Sequence, residues 1–233
     1  MVKSPFARGM VHGIPIALGY LSVSFGFGIL AVRLGLPVPG TVAISLTNLT
    51  SAGQAAGVEI IAAGGTLIEM ALTQLIINLR YALMGFSLSQ KLDNTFTTPR
   101  RLLISFGITD EVFAVAVSQP GLLTSTYMLG LILPPVLGWT TGTLLGAVAG
   151  QLLPTAVSNA MGLVLYGMFL AIILPPARKD KRVLFVVVLA AGFSVLFRYA
   201  LPMVSGGFAV ILSALIASVA AALLFPVEEE ASA

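Results

Sequence analysis

The feature that most constrains this chain is one long uncharged stretch, because residues 112–177 contain no Asp, Glu, Lys or Arg. A membrane-spanning helix needs about 20 mostly apolar residues, so this stretch is long enough for about three crossings. Over the whole chain 58% of the residues are hydrophobic and 9% are charged, whereas roughly a quarter are charged in an average soluble domain. So few charges cannot cover a soluble surface. The sequence therefore predicts an all-α, polytopic integral membrane protein.

Further hydrophobic runs predict the other crossings, and they are Met10–Val32, Leu34–Val58, Gly64–Leu88, Val183–Pro202 and Gly206–Phe225. Lys3 and Arg8 precede the first run. That run is too long for a signal peptide and is followed directly by more membrane sequence, so we expect it to remain as the first helix. In total the chain is expected to have about seven or eight transmembrane helices, some of them discontinuous or re-entrant.

The distribution of Lys and Arg predicts the orientation. The positive-inside rule places the N-terminus and the loops near residues 90–101 and 177–182 in the cytoplasm. We expect one transmembrane domain over residues 1–233, ending in an acidic tail at residues 227–233. An even number of crossings must separate neighbouring cytoplasmic segments. One of the three runs before the loop at 90–101 is therefore expected to enter and leave on the same side.

Composition excludes several kinds of chemistry. The chain has no Cys and a single His, His12, so we expect neither a disulfide framework nor a histidine-rich metal centre. A phosphate-binding loop of the Walker type is absent from the sequence, which argues against direct coupling to ATP. The 12 basic residues are scattered and do not form a nucleic-acid-binding stripe. We therefore expect no cofactor and no nucleic acid, and a lipid bilayer as the surroundings.

The run Leu34–Val58 is unusually polar for membrane depth. Its middle is rich in hydroxyl and amide side chains and in glycine: Thr47, Asn48, Thr50, Ser51, Gly53, Gln54 and Gly57. Irregular backbone inside a bilayer must be buried in protein or line a wet cavity. The pattern predicts that the chain leaves regular helix near residues 47–57 and binds a small solute there through half-helix termini. The alternative is a polar seam, in which the same side chains bond to neighbouring helices.

Four ionisable side chains inside or beside the predicted spans are candidates for function. Glu69 and Arg80 lie on nearly one face of the third run but about 16 Å apart, too far for a direct ion pair. Asp110 and Glu111 lie eight and nine residues into the segment that begins at Leu102, which is near mid-membrane if that segment spans the bilayer. They are adjacent, so on a helix they point about 100° apart. We expect one carboxylate to face a cavity or Arg80 and the other to face a neighbouring helix. Either a proton carrier or a structural ion pair would account for these charges.

Glycines recur at every fourth position late in the uncharged stretch: Gly138, Gly142, Gly146 and Gly150. Small residues at this spacing let two membrane helices approach backbone to backbone. We therefore predict that this ridge is a packing surface.

Six short motifs occur in an order and spacing typical of one family. They are Gly13–Gly28, Thr50–Ala56, Asn78–Arg80, Thr109–Phe113, Trp139–Thr143 and Tyr166–Phe169. Over nearly its whole length the chain thus resembles the AzlC family of branched-chain amino acid permeases. It departs from the family in two places. Tyr81 follows Asn-Leu-Arg where the family usually has His, and Thr50-Ser51-Ala52 replaces the usual Phe before Ala-Gly.

The resemblance implies an exporter of valine, leucine, isoleucine and sometimes methionine in a bacterial inner membrane. It also implies a small membrane partner of the AzlD type. An amino acid needs donors for its carboxylate, acceptors for its ammonium and an apolar pocket for its side chain. The candidate substrate-binding residues are then Asn48, Ser51, Gly53, Gln54, Phe25, Phe27 and Asn78. The candidate residues for coupling to protons are Asp110, Glu111, Arg80 and Glu69.

Two other classes of function remain open from the residues. A passive channel for small solutes has the same composition as a transporter. An intramembrane enzyme needs a nucleophile with a base, or metal ligands, and the adjacent carboxylates at 110 and 111 are thin support for one. We expect no catalytic residues and no enzymatic activity.

Overall fold

The structure, a computed structural model, describes residues 4–152, 154, 167, 170 and 173–225. The predicted acidic tail at 227–233 lies outside the described residues, as does the motif Tyr166–Phe169 apart from Gly167. All of the regular secondary structure in the described ranges is helical, which confirms the predicted all-α class.

Nine helices have both ends inside the described part of the chain. They are α1 (Pro5–Arg33), α2 (Val38–Thr47), α3 (Ser51–Ala62), α4 (Leu67–Ser89), α5 (Thr98–Phe106), α6 (Asp110–Val117), α7 (Ser125–Leu152), α8 (Lys181–Ala200) and α9 (Gly206–Leu224). Helices α1, α4, α7, α8 and α9 are long and apolar enough to cross a membrane. The other four have only 8 to 12 residues, fewer than one crossing requires. These four short helices correspond to the predicted discontinuous helices.

Helices α1 and α7 form the scaffold of the fold, and they touch backbone to backbone. A Cβ atom added to Gly146 of α7 would lie 2.0 Å from the carbonyl oxygen of Phe25 in α1. The corresponding distance from Gly138 to the carbonyl oxygen of Ala17 is 2.5 Å. Such spacing leaves no room for a side chain, so the glycine ridge is confirmed as a packing surface.

The first helix break is narrower than the sequence suggested. Only residues 48–50 are extended, and Gly53 and Gly57 lie inside α3 rather than in unwound chain. Side chains of residues 48–50 accept hydrogen bonds from backbone amides at the end of the break and at the start of α3. The Thr50 hydroxyl accepts a hydrogen bond from the Gly53 amide at 3.4 Å, and the Asn48 side chain accepts one from the Thr50 amide at 2.9 Å. The helix can therefore resume without glycine.

A second break corrects the expectation of a continuous span after Leu102. Helix α5 ends at Phe106, and α6 begins at Asp110. The Thr109 hydroxyl accepts a hydrogen bond from the Val112 amide at 3.4 Å and so caps α6. Asp110 and Glu111 therefore occupy the first turn of a new helix rather than the middle of a long one. Gly107 followed by Thr109 and two acidic residues is a helix stop-and-start signal in the sequence.

The backbone contact between α1 and α7 yields a stability prediction. Gly146→Ala should destabilise the protein by about 1–3 kcal/mol, because the new methyl group meets fixed backbone. Gly19→Ala in α1 is the matched control, since its Cβ would have no neighbour within 4 Å. Thermal unfolding in detergent, monitored by size-exclusion chromatography after heating, should show a lower melting temperature for Gly146→Ala only. Equal melting temperatures for the two variants would contradict the close packing.

Candidate functional site

The two helix breaks lie beside the same cavity, which has a volume of about 770 Å³. Leu49 and Thr109 line it from the two breaks. The first residues of α3 (Ser51 and Ala52) and of α6 (Asp110 and Glu111) line it as well. The N-termini of two short helices thus open into one space.

The two N-termini present opposite charge to the cavity. The start of α3 carries no acidic residue, and the amides of Ser51 and Ala52 have no acceptor among the described residues. Free amides and the helix dipole make this end electropositive. The start of α6 instead carries the carboxylates of Asp110 and Glu111. Because Arg80 pairs with Asp110, one more carboxylate than cation is present at that end.

The carboxylates at the start of α6 have different partners. Asp110 Oδ2 lies 2.7 Å from Arg80 Nη1, and the two side chains are 45% and 42% exposed. Glu111 accepts a hydrogen bond from the Tyr20 hydroxyl of α1, which also lies 2.6 Å from the Thr109 hydroxyl oxygen. One carboxylate therefore pairs with Arg80 and the other bonds to a neighbouring helix, as the sequence predicted.

Gln54 does not line the large cavity but stabilises its wall. Its side-chain amide donates to the carbonyl oxygen of Asn48, a group that the first break deprives of a helical partner. Its Oε1 accepts a hydrogen bond from the indole of Trp139 at 3.0 Å. Gln54 is 2% exposed. These contacts agree with the polar-seam alternative for this residue, because both ends of the side chain bond within the protein.

Gly53 and Asn78 belong to a hydrogen-bonded chain between α3 and α4. Gln74 donates to the Gly53 carbonyl at 2.7 Å and accepts from the Asn78 amide at 3.0 Å. The Asn78 Oδ1 atom is buried and has no partner among the described residues. Asn78 and Asn48 line a second, smaller cavity of about 230 Å³ beside the breaks. Of the predicted substrate-binding residues, Ser51 alone lines the large cavity.

The aromatic lining of the large cavity differs from the one that the sequence suggested. Phe27 is fully buried in a core cluster with Ala31 and Val58, and Phe25 is not among the lining residues. The aromatic residues that do line the cavity are Tyr20, Tyr81 and Trp139. Tyr20 and Trp139 pack edge to face with centroids 5.2 Å apart. None of these three aromatic residues was assigned to the cavity from the sequence. Trp139, the single Trp of the chain and the first residue of the motif Trp139–Thr143, is the signal that could have indicated this wall.

Glu69 lies apart from the other three candidate coupling residues. It sits in the first turn of α4 and accepts a hydrogen bond from the Gly207 amide of α9 at 2.9 Å. It lines a separate cavity of about 300 Å³. The structure therefore brings Arg80, Asp110 and Glu111 together and places Glu69 in a second polar centre.

The contacts of Gln54 yield a prediction. Gln54→Ala should lower the melting temperature, because it leaves the Asn48 carbonyl and the Trp139 indole without partners, each costing about 1–3 kcal/mol. The exposed Gln90→Ala is the control, since Gln90 lies at the end of α4 away from both breaks. Thermal unfolding of both variants in detergent is the measurement. A Gln54→Ala variant that unfolds like the wild type but loses affinity for the solute would place Gln54 in the binding site.

Comparison with known proteins agrees with this architecture. The family model described as "AzlC protein" matches residues 15–153, which include both breaks. The inner membrane protein YgaZ of Escherichia coli K12 is 30% identical over 186 residues, which are 77% of this chain and 76% of that protein. An uncharacterised membrane protein of Archaeoglobus fulgidus is 32% identical over 172 residues, 73% of this chain and 75% of the relative. No solved structure matches the chain significantly.

A helical membrane fold, a family match over more than half of the chain and relatives that are themselves membrane proteins all agree. These findings are consistent with a membrane transporter. The chain is therefore a multi-pass membrane protein that belongs to the AzlC family.

Proposed function

We propose that this chain is a secondary transporter that exports branched-chain and similar hydrophobic amino acids, namely valine, leucine, isoleucine and methionine. Export is driven by the proton gradient and requires a small membrane subunit of the AzlD type. One observation carries the proposal: two helix breaks offer an electropositive and an electronegative helix start to one cavity. The choice of cargo and of partner rests on the family resemblance.

The opposed helix starts suit a zwitterion. The free amides of Ser51 and Ala52 can donate to the substrate carboxylate, as helix N-termini do for anions elsewhere. The substrate ammonium is attracted to the carboxylates at the start of α6. Both groups of an amino acid are carried by one carbon atom, so a cavity that is positive on one side and negative on the other orients it.

The remaining walls suit an apolar side chain. Leu49, Ile77 and Trp139 line the same cavity. Branched side chains lose contact with water against such surfaces, a gain of about 0.8 kcal/mol per buried CH₂ group. Because these walls discriminate by size rather than by hydrogen bonding, several hydrophobic amino acids are accepted.

Asp110 is the proposed proton carrier. Export driven by proton entry requires that a proton and the substrate compete for one group. A carboxylate meets this requirement, because it attracts the substrate ammonium only while it is ionised. Asp110 is half exposed towards the cavity, whereas Glu111 is bonded to Tyr20. A proton that arrives on Asp110 therefore displaces the ammonium and also weakens the ion pair with Arg80.

The proposed partner has free surface available on this chain. Helices α4 and α8 bury little of their apolar surface against the other described residues. Exposed side chains on α4 recur at helical spacing and include Leu75, Leu79, Leu83 and Phe86. In the proposed complex this surface is shared between lipid and the small subunit.

The proposal predicts how Asp110→Asn behaves. Vesicles that contain this chain and its partner should release preloaded valine faster when a pH gradient is imposed, and the release should saturate. In Asp110→Asn the dependence on the gradient should disappear, because an amide cannot exchange a proton, while valine binding is partly retained. Asp93→Asn in the loop after α4 is the control. An unchanged gradient dependence would exclude Asp110 as the carrier, and ohmic single-channel currents would favour a passive channel.

The proposed carboxylate site predicts a difference between two variants of Ser51. Ser51 is the first residue of α3, and Thr50 before it is already extended, so proline fits there without breaking the helix. Ser51→Pro removes one amide donor and should weaken valine binding about ten- to hundredfold, the value of a hydrogen bond to a charged group. Ser51→Ala keeps the amide and should bind like the wild type. Calorimetric titration with valine and with valine amide, which has no carboxylate, is the measurement. Equal affinity in the two variants would contradict the site.

A further inference from the structure

The cavity around Glu69 is a second polar site that the proposed transport cycle does not use. It lies where the end of α3 and the starts of α4 and α9 meet, and has a volume of about 300 Å³. Along α4, Glu69 is about 16 Å from Arg80, so the site is independent of the ion pair with Asp110.

One of the two oxygens of the Glu69 carboxylate is bonded to the start of α9. Oε1 accepts hydrogen bonds from the Gly207 amide and the Ser205 hydroxyl at the start of α9, and the positive end of that helix favours a negative charge. Glu69 is 4% exposed. Among the described side chains, no Lys or Arg nitrogen forms a salt bridge with it. A buried charge at this depth is costly unless an opposite charge or a proton accompanies it.

The second oxygen, Oε2, lies near a backbone carbonyl. It lies 2.9 Å from the point that a Cβ on Gly65 would occupy, and the carbonyl oxygen of Ile60 lies 3.1 Å from the same point. Ile60 belongs to the last turn of α3, where the helix dipole is negative. Its carbonyl accepts one hydrogen bond, from the Gly65 amide, and retains a second lone pair. The Cγ2 methyl of Ile60 is the nearest atom to that point, at 2.6 Å. The two acceptor oxygens are therefore at most about 6 Å apart, and both residues line the cavity.

A buried hydroxyl adds a third oxygen. Thr73 lies one turn after Glu69 on the same face of α4 and lines the same cavity. It is fully buried, and its Oγ1 has no hydrogen-bond partner among the described residues. A buried hydroxyl without a partner is costly. A ligand in the cavity would give the Thr73 hydroxyl oxygen a partner.

The charge and the kind of oxygen together select the ligand. The ionisable side chains that line the cavity are Glu59, Glu69 and Arg198, and of these only Glu69 belongs to the three oxygens described above. One carboxylate balances the charge of a monovalent cation, whereas Ca²⁺ takes six to eight oxygen ligands and Mg²⁺ usually binds with substrate phosphates and several waters. Carboxylate, hydroxyl and helix-end carbonyl oxygens are the ligands that bind Na⁺ in transporters built from discontinuous helices. We infer that Glu69, Thr73 and the Ile60 carbonyl form a Na⁺ site that links α3, α4 and α9.

Thr73 offers the sharpest test, because its substitution leaves the bonds between Glu69 and α9 in place. The full-length chain in lipid nanodiscs is titrated with radioactive ²²Na⁺, and its melting temperature is measured in NaCl and in choline chloride at equal ionic strength. The wild type should bind Na⁺ saturably and unfold at a higher temperature in NaCl. Thr73→Val should weaken Na⁺ binding by about tenfold or more, the usual cost of losing a metal-site contact. Thr73→Ser, which keeps the hydroxyl, should bind like the wild type.

Glu69→Gln should abolish the effect of Na⁺ on the melting temperature. Three results would overturn the inference: no saturable Na⁺ binding by the wild type, equal binding by Thr73→Val and Thr73→Ser, or a wild type that is stabilised by acid in choline chloride but not by Na⁺. The last result would assign the cavity to a proton alone. Because the readout is equilibrium binding of Na⁺, failure of this site and failure of the proposed valine transport are distinguishable.

Discussion

The fold depends on how side chains of the protein satisfy backbone groups that the helix breaks release inside the membrane. At the first break the Asn48 carbonyl is bonded by Gln54, and the restarting helix is capped by Thr50. At the second break Thr109 caps α6. Gln54 in turn holds Trp139 on α7. The close glycine packing of α7 against α1 fixes the position of that tryptophan, so the scaffold and the breaks stabilise each other.

The charge that each helix start presents to the cavity depends on the residues in its first turn. The start of α3 offers amides and no acidic side chain, whereas the start of α6 offers two carboxylates. Arg80 of α4 pairs with Asp110 between them. At the beginning of α4 a different arrangement holds Glu69 between the end of α3 and the start of α9. Helix α4 therefore carries one charged centre in its middle and another at its beginning, and the two face different cavities.

Part of this arrangement could be predicted from residues alone, and the errors have physical causes. The polar middle of Leu34–Val58 predicted a break, but its width was overestimated because glycine was assumed to be unwound. Gly53 instead lets Gln74 approach α3 closely. The break at residues 107–109 was missed because hydrophobic length outweighed its capping signal. Phe25 and Phe27 were expected in the cavity because an amino acid needs an apolar pocket for its side chain. Phe27 is instead buried in a core cluster, and the Phe25 backbone packs against α7. Tyr20, which lies more than one turn earlier on α1, bonds to Glu111.

By itself the sequence determined the membrane environment, the helical class, the presence of an interrupted segment and the family, because hydrophobic length and local motifs are properties of contiguous residues. Only the tertiary structure decided that both breaks face one cavity, that Asp110 rather than Glu111 meets Arg80, and that Glu69 stands apart. These outcomes depend on which helices pack together and how each is rotated about its axis. Packing of that kind is set by contacts between residues that are distant in the chain, such as Phe25 with Gly146 and Gln54 with Trp139.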